Sequence, residues 1–378
     1  MKIGLVVYGG LEQTSGGYRY DRQLVSALED RGDDVDVISI PRRLEDDPAG
    51  VVSDRTTSAR PNSDTAPSIR ERLDRPYDVL LQDELCHPAL VQHNPHLEGP
   101  ETIVSLVHLL RSPDPTKDDP AVRARERRYL ESVDAAICTS GYTRERTTAL
   151  VDTDLPTLVA PPAGRHEEPA LSSEAVAKRA RADPLEVAFV GTLVPRKNLV
   201  TLLEALARID EAGRDWHLTV VGRHDADPAY VRDVRDRIGA LELGDRVTIT
   251  GKVETARLES ILERSHVLAV PARYEGFGMV HLEAMEYGVV PVAGSVGGAS
   301  EFVADGRNGV VVEPTDPSSL ADRLGALAAD RDRLATLGMR ALETAAAHPS
   351  WAETMDEIRA FLGRRLDEAD DANGGDSP

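Results

Sequence analysis

A chain of 378 residues exceeds the roughly 250–300 residues at which one hydrophobic core stops growing, so two domains are expected. Its hydrophobic content of 41% fills ordinary globular cores, and no run of about 18 apolar residues is present to span a bilayer. The formal net charge of -21 argues against nucleic acid as a partner and against a broad basic patch for anionic lipid, leaving at most a peripheral membrane contact. Lysine occurs only at Lys2, Lys117, Lys178, Lys197 and Lys252, and this acidic, lysine-poor balance suits a halophilic protein whose self-repulsion is screened by concentrated salt.

The chain opens as a strand, Ile3–Tyr8, directly after Lys2, without the apolar stretch and cleavage site of a leader. A glycine-rich loop follows, with Gly9, Gly10, Gly16 and Gly17. The next stretch places Tyr20, Leu24, Ala27 and Leu28 at i, i+4, i+7 and i+8, one stripe of a helix that Gly32 ends. Val35–Ile40 is a strand. Residues 41–75 are polar and proline-bearing, and a long mobile loop is expected there. Strands resume at Val79–Gln82, Thr102–His108 and Ala135–Ser140, with a helix from Ala121 to Ser132, and a short strand lies within Pro156–Pro162. Cys86 and Cys138 fall in different β/α units and read as two reduced thiols of a cytoplasmic protein.

Residues 167–184 read as a linker, after which the pattern restarts. Strands are expected at Glu186–Gly191, His217–Gly222, Arg246–Gly251, Val267–Pro271, Val289–Ala293 and Val310–Glu313, with helices such as Val200–Ala212 and Ala256–Glu263 between them. Short apolar strands alternating with helices give parallel sheets covered on both faces, so the fold class is α/β with two Rossmann-like doubly wound domains. The expected organisation is a domain at 1–165, a second at 184–346, a terminal helix at 347–364 that returns to the first domain, and a disordered acidic tail at 365–378. Ligands of such sheets bind at the carboxyl ends of strands, so a cleft between the domains is the expected site.

The strongest chemical signal is the run from Tyr274 to Glu286. Glu275 and Glu283 flank a Gly276-Phe277-Gly278 turn, after which a helix is expected from Met279 to Tyr287, stopped by Gly288. Exposed amides around Gly278, Met279 and Val280 suit a diphosphate, and glycines let it approach the backbone. Glu283 would then accept hydrogen bonds from two vicinal ribose hydroxyls. The second signal is the loop Gly191-Thr192 to Arg196-Lys197-Asn198 after a strand, where a cation suits a phosphate. Asp-x-Asp pairs at 34/36, 152/154 and 225/227 follow none of these loops, and no zinc-type cluster occurs, so no metal is expected.

The stretch from Glu275 to Glu283 resembles the E-x7-E motif of glycosyltransferase family 4, retaining enzymes of the GT-B fold. Gly297, Gly298 and Glu301, with the Asn308-Gly309 strand entry behind them, resemble that family's next segment. The resemblance is dense in the second half and sparse in the first. It implies that Lys197, helped by Arg196, contacts the donor diphosphate; many members carry an Arg where this chain has Thr192. It further implies that Gly16 and Gly17 lie beside the donor phosphates, that His108 lies near the transferred sugar, and that the donor base sits near Gly251–Val253. The Thr139–Arg144 loop and the His348–Trp351 turn match more loosely.

The expected function is therefore a retaining transfer of sugar from a nucleotide-sugar co-substrate to a glycan, lipid-linked or small-molecule acceptor, with Glu275, Lys197 and His108 at the chemistry. Two rivals stand beside it: another GT-B enzyme such as a sugar-nucleotide epimerase, and a non-catalytic nucleotide-sugar binder.

Overall fold

A computed structural model describes residues 1–42, 67–112, 119–166 and 168–374. These residues form two compact units. The first takes the described residues up to Pro162 and again from Pro349; the second is Ala163–His348.

The first unit is built on six parallel strands: β1 (Lys2–Tyr8), β2 (Asp34–Ile40), β3 (Val79–Asp83), β4 (Thr102–Val107), β5 (Ala135–Cys138) and β6 (Thr157–Val159). Their order in the sheet is β2-β1-β3-β4-β5-β6. The central strands β3, β4 and β5 are buried along their whole length, which is why they read as continuous apolar runs rather than alternating ones. One face packs against helix Gly16–Asp30 and the terminal helix Trp351–Gly374, through Tyr20, Leu24, Leu28, Met355, Ile358, Phe361 and Leu362. Thr354 Oγ1 donates to the Pro161 carbonyl at 2.9 Å, and Arg359 holds Asp33 at 2.7 Å.

The second unit repeats the plan with β7 (Leu185–Val190), β8 (Trp216–Val221), β9 (Val247–Gly251), β10 (Val267–Val270), β11 (Val290–Gly294) and β12 (Val310–Val312). The order is β12-β11-β10-β7-β8-β9. The chain runs outward from β7 through β8 and β9, then restarts at β10, which pairs with β7 through Val267–Val187 and Leu268–Ala188. The order thus reverses between β7 and β10, and the two loops singled out in the sequence emerge side by side at that switch point.

Three expectations need correction. Within residues 41–75, the described part carries helix Ile69–Leu73, closed by a reciprocal capping box between Ser68 and Glu71 and anchored by buried Leu73; residues 43–66 of that expected loop lie outside the described residues. The stretch read as a linker holds helix Ser173–Ala180, capped by Ser172, with Val176 and Ala180 buried in the second unit. Its polar composition hid an amphipathic stripe. The terminal helix continues to Gly374, where disorder was expected from residue 365; Leu366, one turn beyond Leu362, packs on the same apolar cluster. Residues 375–378 lie outside the described residues.

Both cysteines are buried free thiols. No helix among the described residues is long and apolar enough to cross a membrane.

Helix Ser173–Ala180 crosses the second unit by close approach. A Cβ on Gly338 would lie 2.6 Å from the Gly288 carbonyl oxygen and 2.8 Å from Val176 Cγ1. Gly338→Ala gains about 1 kcal/mol of helix propensity but loses about 1–3 kcal/mol to overpacking against backbone. A lowered melting temperature by circular dichroism is expected; an unchanged or raised one contradicts this packing.

Candidate functional site

In the second unit, Glu275 follows β10 and lies 8% exposed. Lys197, in the loop after β7, forms an ion pair with its Oε1, and Arg196 Nη1 lies 3.2 Å from its Oε2. Arg196 also donates to the Tyr274 carbonyl at 2.9 Å and lies over the Tyr274 ring. Local structure dictates this meeting. Asn198 adopts a left-handed conformation with φ 61°, and its Nδ2 donates to the carbonyls of Pro271 and Pro314, tying the β7 loop to the ends of β10 and β12. Asn is the residue type besides glycine that tolerates this backbone best.

The electrostatics follow from burial and charge together. Burial alone would raise the Glu275 carboxyl, but Lys197 and Arg196 outweigh it and hold it down at about 2. Burial pushes Lys197 below its ordinary value while Glu275 opposes. Glu275 is therefore a fixed carboxylate, a poor base and a poor nucleophile near neutral pH. His281, in the next helix, is wholly buried, and burial depresses it to about 4, so its ring is neutral; neither ring nitrogen has a hydrogen-bond partner among the described residues.

The glycine turn serves this arrangement. Gly278 precedes helix Met279–Met285 at φ 90°, a conformation that favours glycine. That helix ends two residues before the expected Tyr287. Gly297 runs alongside Glu275, where a Cβ would come within 2.4 Å of the Glu275 carbonyl oxygen, and the Gly298 N–H donates to that oxygen at 3.1 Å. Gly276 is buried, and Met279 and Val280 are half-buried beside it. Phe277 turns inward and stacks on Phe302 with centroids 4.9 Å apart, so its side chain is a packing element. Glu283, 5% exposed, pairs with Arg165, which no sequence motif marks. Gly191 packs against the Lys197 stem, and Thr192 is half-buried next to it. Val253 follows β9, two strands from β7, and packs against the apolar core instead of joining the Lys197–Glu275 cluster.

The first unit carries a separate polar cluster. His108 stands one residue beyond β4, and its Nε2 lies 3.1 Å from Asp21 Oδ1. Its backbone N–H donates to Glu84 Oε2 at 2.7 Å. Gly17 covers the ring, leaving 3.2 Å between a notional Cβ and His108 Cδ2, while Gly16 is exposed. Tyr20 meets the ring edge-on at 5.3 Å. Asp21, Asp83 and Glu84 are all buried, and no sequence motif marks them; Asp21 lies in the helix that follows β1, while Asp83 ends β3 and Glu84 follows it, and β1 and β3 flank that sheet's own switch point. One ligating atom from each of Asp21, Asp83 and His108 lies within 4.8 Å of the others. Burial raises Asp83 and Glu84. Burial would lower His108, but Asp21, Asp83 and Glu84 outweigh it and raise it to about 9.

Because this value exceeds the ordinary 6.5, the His108–Asp21 pair adds stability below about pH 6.5 that is lost as pH rises through about 9. The imidazole C–H resonances of His108 are expected to titrate near 9 in the wild type and close to neutrality in Asp21→Asn. A wild-type midpoint below 7 contradicts the cluster's charge balance.

Residues 173–344 match the family model of Glycosyl transferases group 1. A D-inositol 3-phosphate glycosyltransferase of Nocardia farcinica is 34% identical over 192 residues, 50% of this chain and 42% of the relative. A GDP-mannose-dependent alpha-(1-6)-phosphatidylinositol monomannoside mannosyltransferase of Mycobacterium tuberculosis is 30% identical over 254 residues, 64% of this chain and 65% of the relative. The chain thus spans less than two thirds of either relative's length. Among solved structures, sucrose-phosphate synthase from Thermosynechococcus elongatus aligns with TM-score 0.76 at 24% identity over 97% of this chain and 99% of that one. Anabaena HepE in complex with UDP-glucose aligns with TM-score 0.74 at 19% identity over 96% and 100%. At these identities the likeness establishes the fold, and that fold is GT-B.

Proposed function

We infer that the protein moves a sugar from a nucleotide-sugar donor to a hydroxyl acceptor, a reading supported by the match of residues 173–344 to the Glycosyl transferases group 1 model. The observation that carries this reading is the Arg196–Glu275–Lys197 cluster beside the Gly276–Gly278 turn. Two cations against one carboxylate leave one net positive charge, in a chain whose total is -21. An anionic diphosphate is the ligand such a spot selects.

Breaking the bond from anomeric carbon to phosphate makes the sugar oxocarbenium-like and builds negative charge on the departing diphosphate. Lys197 and Arg196 are the groups that stabilise that charge, through fixed electrostatics rather than proton transfer. Glu275 gathers and orients the two cations. Its strongly lowered carboxyl makes a double displacement through it a poor route, since a charge-neutralised carboxylate attacks weakly. The reading is therefore attack on the same face, with retention of configuration and with the leaving phosphate accepting the acceptor's proton. No metal is needed in this scheme, because the side-chain cations supply the positive charge. His108, an imidazolium near neutral pH, acts as a hydrogen-bond donor toward a sugar hydroxyl, with Asp21 orienting it. The acceptor is a glycan, a lipid-linked sugar or a small polyol; the inositol-based substrates in the relatives' names support a polyhydroxyl ring. The work takes place in the cytoplasm or at the cytoplasmic face of its membrane, in concentrated salt.

The test is a calorimetric titration with UDP, GDP and ADP in concentrated KCl, alongside Lys197→Ala and Glu283→Ala. Binding of one nucleotide, weakened in both variants, is expected, and Lys197→Ala should also cut transfer by about 10²–10³. A folded wild type that binds none of the three sinks the reading, and binding without any turnover of the matching nucleotide-sugar favours a non-catalytic binder.

A further inference from the structure

Arg165 lies upstream of the 173–344 stretch that matches the family model. His166 and Ala170, which follow it, are strapped to the end of the helix that carries Glu283. The His166 N–H donates to Glu286 Oε1 at 3.0 Å, the Ala170 N–H to the Glu286 carbonyl at 2.8 Å, and the His166 ring Nε2 lies 2.8 Å from the Tyr287 hydroxyl. A Cβ on Gly164 would lie 1.8 Å from Glu286 Oε1, so a larger residue there would push the Glu286 carboxylate aside. Glu286 caps the helix Met279–Met285 and Tyr287 follows it, so both lie within about one turn of Glu283. These anchors hold the backbone that follows Arg165 against Glu286 and Tyr287, which brings Arg165 beside Glu283. From there Arg165 Nη2 donates to Glu283 Oε2 at 3.3 Å, and its Nε lies 3.1 Å from Oε1 as an ion-pair contact, so the guanidinium touches both carboxylate oxygens.

Resting on the donor reading above, we propose that Arg165 is a positioning residue for donor binding: its guanidinium, in contact with both oxygens, orients the Glu283 carboxylate that receives the vicinal hydroxyls of the donor's ribose. A planar guanidinium reaches both oxygens at once, which a point charge cannot do. A carboxylate whose plane is already set loses little freedom when the hydroxyls dock, and that preorganisation appears as affinity. Arg165 stays in place when the ribose binds. Displacing it would leave a guanidinium only 23% exposed without its counter-ion.

The experiment compares UDP, GDP and ADP with their 2′-deoxy counterparts on the full chain, by calorimetry, for the wild type, Arg165→Met, Arg165→Lys, Glu283→Gln and the Arg165→Met/Glu283→Gln double variant. Melting curves confirm that each is folded. The wild type is expected to prefer the ribonucleotide by about 10-fold, as the loss of one hydroxyl bond to a charged group implies. Arg165→Met should bind it about 10-fold more weakly, with the ribo-over-deoxy preference reduced to near unity. Arg165→Lys should fail to restore that preference, and the double variant should bind no more weakly than Glu283→Gln alone. A preference undiminished in folded Arg165→Met overturns the proposal, as does tighter binding, which would make Arg165 an obstruction. A wild type that binds no nucleotide removes the donor reading itself, and this one with it.

Discussion

The second unit depends on one constraint: a buried carboxylate, Glu275, must be matched by cations delivered from a different strand. Taking charge out of water costs several kcal/mol per ion, and removing one partner of such a group typically costs about 3–5 kcal/mol. The fold meets the constraint by topology. Parallel pairing of β7 with β10 brings the Lys197 loop and the Glu275 loop to the same sheet end, although 78 residues separate them. Asn198 then secures the first loop to the second by accepting a left-handed backbone. The excess positive charge that results is local, fixed and set in an otherwise acidic protein. It follows from strand order as much as from the residues themselves.

Much of this was legible beforehand. Each parallel strand announced itself as a short apolar run, because burial on both faces removes polar positions. The pair Glu275 and Glu283 around a glycine turn, and a rare lysine after an apolar strand, singled out the two loops that the fold brings together at the β7–β10 switch point. Packing was harder to read. Phe277 lies inside the motif, yet its ring stacks on Phe302, a contact that no local pattern encodes. Helix Ser173–Ala180 looked like a linker because only Val176 and Ala180 of its eight residues are buried.

The residues missed altogether share a cause. Asp21, Asp83 and Glu84 are acidic side chains in a chain with 65 Asp and Glu residues, where one more carboxylate carries no signal. Their burial sets them apart, and burial of a carboxylate is a tertiary fact. Arg165 was hidden for a similar reason, since arginine supplies nearly all the basic charge here. In both places the partner across the sheet or helix gives the residue its meaning: His108 for Asp21, Glu283 for Arg165.

The claim that Lys197 and Arg196 form a diphosphate site can be tested through the second phosphate alone. Calorimetric affinities of a nucleoside diphosphate and its monophosphate, measured on the wild type and on Lys197→Met, isolate that group from base and ribose. The account predicts that the wild type favours the diphosphate by about 10-fold or more and that Lys197→Met loses most of this margin, as removal of a charge-assisted contact implies. Equal affinity for the two nucleotides in the wild type, or a margin untouched by the substitution, would contradict it.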